Sequence, residues 1–348
     1  MPIKSQGDPK MKLSLPKIIF GTSALGNLYI EQPEHIKTKI LEECIGLSGN
    51  SVVFDSAGKY GAGLALEMLG KILGKLDTKS KNIIISNKLG WYRIPLTTEE
   101  PTFEPGIWKN LKYDAVQRIS YNGILECFEQ GNHLLGNKFI PQLLSVHDPD
   151  EYLASAKSSK EYNQLLFEIT EAYRALQQVK DNGKVSAIGI GAKNWKVIQV
   201  LSKHISFDWV MFANSMTIMN HPKELICFME ELKDKGILII NSAVFQAGFI
   251  LGGEYYDYKK IKPDTQENIA RFKWREKFHS LCQKFNISPM VACVNFALNA
   301  PGVCSISLNT SNPAHVKTNV DSIKAEVPKE FYLTMKKEKL ISSDCYFI

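Results

Sequence analysis

Short apolar runs alternate with amphipathic stretches along the whole chain, and the two periods assign the elements. Residues 17–21, 51–55, 83–88 and 143–147 are near-continuous apolar runs of strand length, as are 185–190, 209–212, 237–240 and 302–307. Between them, residues 33–47 carry Ile36, Ile40, Leu41 and Cys44 at helical spacing. Further helices are predicted over 64–76, 118–136, 195–203, 222–235 and 312–323, with Tyr121, Leu125, Phe128 and Leu135 forming the stripe of the second of these. The clearest helix covers 160–182, where Leu165, Ile169, Tyr173, Leu176 and Val179 face one way and Asn182-Gly183 supplies the stop. Residues 91–113 break the alternation, and Pro95, Pro101 and Pro105 forbid a helix there.

Crossovers of helical length between apolar strands imply parallel strands buried on both faces. A doubly wound sheet and a closed (β/α)8 barrel both satisfy that pattern. The count of eight strands favours the barrel, an α/β fold, with 91–113 as a long insertion after strand three. No Gly/Ser- or Pro-rich linker divides the sequence, so a single domain over 1–348 is expected, with 1–16 as an N-terminal extension.

Composition narrows the class. With 42 Lys+Arg against 36 Asp+Glu, neither sign dominates, and no nucleic-acid or membrane-surface partner is implied. At 44% apolar residues the chain has the core material that a disordered sequence lacks. The seven cysteines are odd in number and include no C-x-x-C pair, which excludes a disulfide framework or a zinc site and reads as reduced thiols; no metal is expected. The N-terminal segment MPIKSQGDPKMKLSLPK has no apolar signal region, and no run of about 18 apolar residues occurs. A cytoplasmic protein, monomer or homodimer, acting on a small molecule is expected.

Three of the strands end in an ionisable group: Asp55, Lys88 and His147. A charge at the tail of a buried strand is costly unless paired or set in a cleft, and the carboxyl ends of barrel strands form the cleft. Tyr60 follows Asp55 by five residues, so a short turn returns its phenol to the same mouth. A phenol is too weak an acid for proton exchange at neutral pH, and a neighbouring ammonium is expected to lower its pKa. Tyr60 then serves as general acid–base, Lys88 as its activator and Asp55 as the anchor of Lys88. His147 donates a hydrogen bond to the substrate oxygen. Such a set suits hydride transfer, whose redox step needs a nicotinamide. Taken singly, Asp55 and Lys88 would read as an ordinary ion pair. His133, His204, His221 and His279 lie on predicted helices or their ends, and Lys336–Lys339 read as a solvated helix end.

The segments Phe54-Asp55-Ser-Ala-Gly-Lys-Tyr60-Gly, Ser86-Asn-Lys88 and Leu144-Ser-Val-His147-Asp-Pro resemble the three catalytic segments of the aldo-keto reductases, in order and separation. The family is a (β/α)8 barrel, and its tetrad falls here on Asp55, Tyr60, Lys88 and His147. Phe20-Gly-Thr-Ser-Ala-Leu-Gly26-Asn-Leu-Tyr29, Tyr60-Gly-Ala-Gly-Leu, Val146-His-Asp-Pro-Asp150 and Val244-Phe-Gln-Ala-Gly248 resemble its D-threo-aldose 1-dehydrogenase subgroup, which includes L-fucose dehydrogenases. The resemblance implies oxidation of the anomeric hydroxyl of a pyranose to the lactone.

It also implies an NAD(P) site. Gly21, Thr22 and Asp55 are among its cofactor-binding candidates, with Asn194 and Asn214 as candidates for the nicotinamide carboxamide. Ser242, Phe245, Gln246 and Gly248 fall on the pyrophosphate loop, with Phe245 as a stacking ring; Asn309, Thr310, His315 and Asn319 meet the adenosine end. Asn309 and His315 stand where NADPH-preferring members carry Lys and Arg, which favours NAD, with Lys317 left to compensate. The 91–113 insertion reads either as a surface excursion or as a binding loop in which Trp91, Tyr92 and Trp108 stack on a sugar, with Tyr60 and His147 completing the substrate contacts. The rival readings are an aldehyde or ketone reductase, a pyridoxal dehydrogenase, a Schiff-base lyase using Lys88, and a non-catalytic cofactor-binding subunit.

Overall fold

The apolar runs close on one another. A computed structural model describes residues 13–257 and 259–348; residues 1–12 of the expected N-terminal extension lie outside them. The strands are β1 (Ile18–Gly21), β2 (Ser51–Ala57), β3 (Asn82–Leu89), β4 (Trp91–Pro95), β5 (Tyr113–Gln117) and β6 (Leu143–His147). They continue as β7 (Ala187–Ala192), β8 (Trp209–Ala213), β9 (Leu238–Ser242), β10 (Tyr255–Tyr256), β11 (Lys259–Lys260) and β12 (Val303–Leu308). Eight of them form a closed parallel barrel in the order β1-β12-β9-β8-β7-β6-β3-β2, which is a (β/α)8 barrel.

The helices are α1 (Glu34–Leu47), α2 (Leu64–Leu73), α3 (Tyr121–Leu134), α4 (Pro149–Ala154), α5 (Ser159–Asp181) and α6 (Trp195–Leu201). Then come α7 (Lys223–Asp234), α8 (Gln266–Lys284), α9 (Pro289–Asn299), α10 (Ala314–Ser322) and α11 (Lys329–Lys337). Periodicity does not reveal α8 and α9. Helix α8 buries only Phe278, Leu281 and Cys282 and so has no continuous stripe. Helix α9 is apolar around most of its surface, as a helix packed between α8, α10 and β12 must be. No helix among the described residues is long and apolar enough to cross a membrane.

Side chains alternate across each strand, and this alternation positions the site. Ile19, Val53, Ile84, Leu143, Ala187, Trp209, Met211 and Ile240 fill the barrel interior as one cluster. Asp55, Lys88 and His147 share the parity of Val53, Ile84 and Leu143 on their strands, so they rise from the same interior toward its carboxyl mouth. Trp209 is accommodated because its neighbour is Gly189, where a Cβ would lie 2.1 Å from the indole.

The stretch 91–113 is not an irregular loop. Strands β4 and β5 pair antiparallel, from Trp91 opposite Gln117 to Pro95 opposite Tyr113, and project beyond the barrel. The chain between them folds on its own small core of Phe103, Trp108 and Leu111 with Ala62 and Ala115. It is tied to the loop after β1: the Tyr29 amide donates to the Ile107 carbonyl at 2.9 Å, and Asn27 Nδ2 to the Lys109 carbonyl at 3.0 Å. This segment roofs the barrel mouth. Its prolines exclude a helix but are tolerated in a two-stranded edge hairpin, where Pro95, which has no N–H to donate, stands at the strand end.

Candidate active site

A cavity of about 570 Å³ opens at the carboxyl end of the barrel and holds Asp55, Tyr60, Lys88 and His147 together. Lys88 forms a short hydrogen-bonded ion pair with Asp55, whose other oxygen accepts from Ser86 Oγ at 3.0 Å. Lys88 Nζ also lies 3.3 Å from Tyr60 Oη. The His147 ring meets the Tyr60 ring edge-on, with centroids 5.5 Å apart and planes at 83°. The turn that returns Tyr60 depends on close backbone contact: Gly61 has φ +61°, and a Cβ at Gly26 would lie 2.8 Å from the Tyr60 carbonyl.

The electrostatics correct one expectation. Burial raises the Tyr60 phenol above its ordinary pKa; Lys88 pulls it down and Asp55 pushes it up again, so the net direction is upward. Burial outweighs the ammonium, and Asp55 adds to it. Lys88 itself is held charged by Asp55 despite its burial. A lysine nucleophile must be a free amine, so this ion pair opposes the Schiff-base lyase reading. Burial drives His147 down to about 3, with Lys59, Lys88 and Lys193 adding to it and Asp148 opposing it, so the imidazole is neutral.

The other candidates divide. Gly21, Ser242, Phe245, Gly248, Asn309 and Thr310 line the same cavity. Thr22, Asn214, Gln246 and Asn319 are buried and do not line the cavity. Thr22 Oγ1 donates to the Asp55 carbonyl at 3.0 Å, and Gln246 Nε2 to the Asn214 carbonyl at 2.8 Å. Asn194 caps α6 away from the cavity, and its place in the lining is taken by Lys193. His315 is exposed on α10, and Lys317 pairs with Asp321 at 2.5 Å. Of the roof aromatics, Trp108 lines the cavity and packs on Tyr60 with ring centroids 5.9 Å apart. Trp91 instead packs at a tilt against Phe103, with ring centroids 5.7 Å apart, and Tyr92 lies under Arg118. Adjacent residues of a strand point opposite ways, so the hairpin separates this pair.

This part of the lining fits a dinucleotide. Its lining from Ser242 to Gly248 and from Ser307 to Ser311 contains no carboxylate to repel phosphates. Ala243, Gln246, Ala247 and Gly248 all have positive φ, a conformation found where a loop is shaped around a ligand. The buried Asn214 Oδ1 has no hydrogen-bond partner among the described residues.

Sequence reasoning missed Lys59, Glu104 and Asp148, which also line the cavity. Lys59 is only 4% exposed and binds Asp148 at 2.7 Å and Glu104 at 2.8 Å. Charge immediately beside two site residues, in Lys59-Tyr60 and His147-Asp148, was the available signal.

Residues 17–338 match the aldo/keto reductase family. The chain therefore belongs to the aldo/keto reductase family and is an oxidoreductase enzyme. It is 25% identical over 340 residues to the pyridoxal 4-dehydrogenase of Microbacterium luteolum, covering 95% of this chain and 96% of that one. It is 22% identical over 341 residues to the D-threo-aldose 1-dehydrogenase of a Pseudomonas species, covering 94% and 95%. Among solved structures, a glycerol dehydrogenase from Gluconobacter oxydans superposes with TM-score 0.68 at 16% identity over 94% of this chain and 93% of that one. The holo form of an aldo-keto reductase from Bacillus halodurans gives 0.67 at 18% identity over 94% and 92%. These two likenesses concern the fold.

Proposed function

We propose that this protein is an NAD(P)-dependent dehydrogenase that oxidises the anomeric hydroxyl of an aldose pyranose of the L-fucose or D-threo type to its lactone. The contact of Tyr60 Oη with Lys88 Nζ at 3.3 Å, beside the neutral His147, supports this reading. Tyr60 takes the hydroxyl proton in oxidation and returns it in reduction. Lys88 steadies the phenolate and Asp55 fixes Lys88. The Nδ1 of His147 is buried without a partner among the described residues, and a bare lone pair there costs less than a bare N–H; the proton is therefore assigned to Nε2, which donates to the substrate oxygen. The nicotinamide, when bound, accepts or supplies the hydride. Gly21, Ser242, Phe245, Gly248, Asn309 and Thr310 would hold the dinucleotide. Asn309, the exposed His315 and the paired Lys317 offer little to a 2′-phosphate, which favours NAD.

Pyridoxal is the second substrate to consider, because the pyridoxal 4-dehydrogenase shares 25% identity along 95% of the chain. A matrix of L-fucose, other aldoses, pyridoxal and simple aldehydes against NAD and NADP, read as nicotinamide absorbance, separates the readings. Turnover of an aldose with NAD is expected; turnover confined to pyridoxal or to aldehydes would displace the sugar. Tyr60→Phe should lower kcat by about 100-fold or more with the fold intact.

A further inference from the structure

Lys59 is a buried cation that the proton-exchange set does not use. The turn after β2 sends Tyr60 toward Lys88 and its predecessor the other way, where the Lys59 ammonium meets Asp148 at 2.7 Å, Glu104 at 2.8 Å and Glu151 at 3.5 Å. An ammonium has three protons, so three carboxylates saturate it. Two of these carboxylates sit on backbone that L residues rarely adopt, with φ +50° at Asp148 and +46° at Glu104. The cluster is thus held by the fold and is not a chance surface pairing.

One oxygen is contested. Asp148 Oδ2 lies 2.7 Å from Lys59 Nζ and 3.6 Å from His147 Nε2, the second distance being beyond a hydrogen bond. The other charged groups around His147 leave this balance to Lys59. Lys88 on β3 is taken up by Asp55 on β2, Lys193 after β7 pairs with Glu151 at 2.5 Å, and Tyr60 presents its ring. Without the Lys59 charge, a buried carboxylate would face a buried imidazole and draw a proton onto it.

We propose that Lys59 is a positioning residue for His147: it holds the Asp148 carboxylate off the imidazole and leaves Nε2 free to face the substrate oxygen, with Glu104 of the roof closing the clasp. The catalytic importance of this rests on the role given to His147 above; the clasp itself does not. Imidazole ¹⁵N spectra between about pH 4 and pH 8 test it, with the His147 signal identified by its loss in His147→Gln. In the wild type His147 stays neutral throughout. In Lys59→Met its titration midpoint rises by about one pH unit or more into that window, and in Lys59→Gln, a milder change, it rises less. Adding Asp148→Asn to either variant returns the ring to neutral, and Lys59→Arg behaves as wild type. An acid limb in kcat/KM accompanies the shift. A His147 signal unmoved in both Lys59→Met and Lys59→Gln overturns the clasp, whatever happens to KM. The spectra need no turnover, so silence across the substrate matrix counts against the oxidoreductase substrate and not against the clasp.

Discussion

At Tyr60, burial outweighs the ammonium beside it, and this fixes the direction of the pH dependence. A phenol held above its ordinary pKa is protonated at neutral pH, ready to give a proton to a carbonyl and poorly prepared to take one from a hydroxyl. The oxidation rate should therefore climb with pH into the alkaline range, while carbonyl reduction stays level until pH nears the raised pKa; profiles of kcat/KM in both directions measure this. Lys88→Met removes the downward pull and should carry the oxidation limb to still higher pH. An oxidation profile flat from about pH 6 to pH 9 would contradict the upward shift. The four residues were legible in the sequence because each sits on, or one turn beyond, a strand end. The sign of the phenol shift was not, since it depends on how much protein surrounds the ring.

Among the elements, strands with a continuous apolar run declared themselves, whereas α8, polar along most of its length, and the β4–β5 hairpin did not. Trp91 and Tyr92 leave the cavity, Trp91 against Phe103 and Tyr92 under Arg118, while Trp108, from the loop between the strands, enters it. The barrel interior offers a sharper test. Gly189 faces Trp209 so closely that an alanine Cβ would fall 2.1 Å from the indole and 2.5 Å from its carbonyl. Neither the backbone of β8 nor a fully buried tryptophan yields easily. Gly189→Ala should destabilise the fold by about 1–3 kcal/mol in urea unfolding, and a change within error would show that the interior is looser than its packing implies.

Over the whole molecule, the C-terminal tail is fastened across the base of α7 and α11. Lys336 donates to the Cys345 and Ile348 carbonyls at 2.8 and 3.0 Å, so it is a tether and not only a solvated helix end. The Ser342 amide donates to His221 Nε2 at 3.0 Å, while Nδ1 donates to the Thr217 carbonyl at 3.1 Å, a pairing that only neutral imidazole can make. Burial lowers the His221 pKa below its unfolded value, as it does for His147. Both groups contribute stability that is present above their unfolded pKa of about 6.5 and lost as pH falls below it. The melting temperature should drop between about pH 7 and pH 5; His221→Gln should start about 1 kcal/mol less stable and fall less steeply. Parallel slopes for the two proteins would remove the tail from this account.

The order of apolar runs determined the barrel, and residue type at three strand ends and one turn determined the proposed catalytic set, because both are fixed by spacings of a few residues and by strict alternation within a strand. The tertiary structure decided which loops meet. Lys59 and Asp148 are 89 residues apart, and Glu104 reaches them only because the roof folds on its own core and is tied to the loop after β1. Desolvation, the clasp at His147 and the separation of Trp91 from Trp108 arise from that convergence, and no local period encodes it.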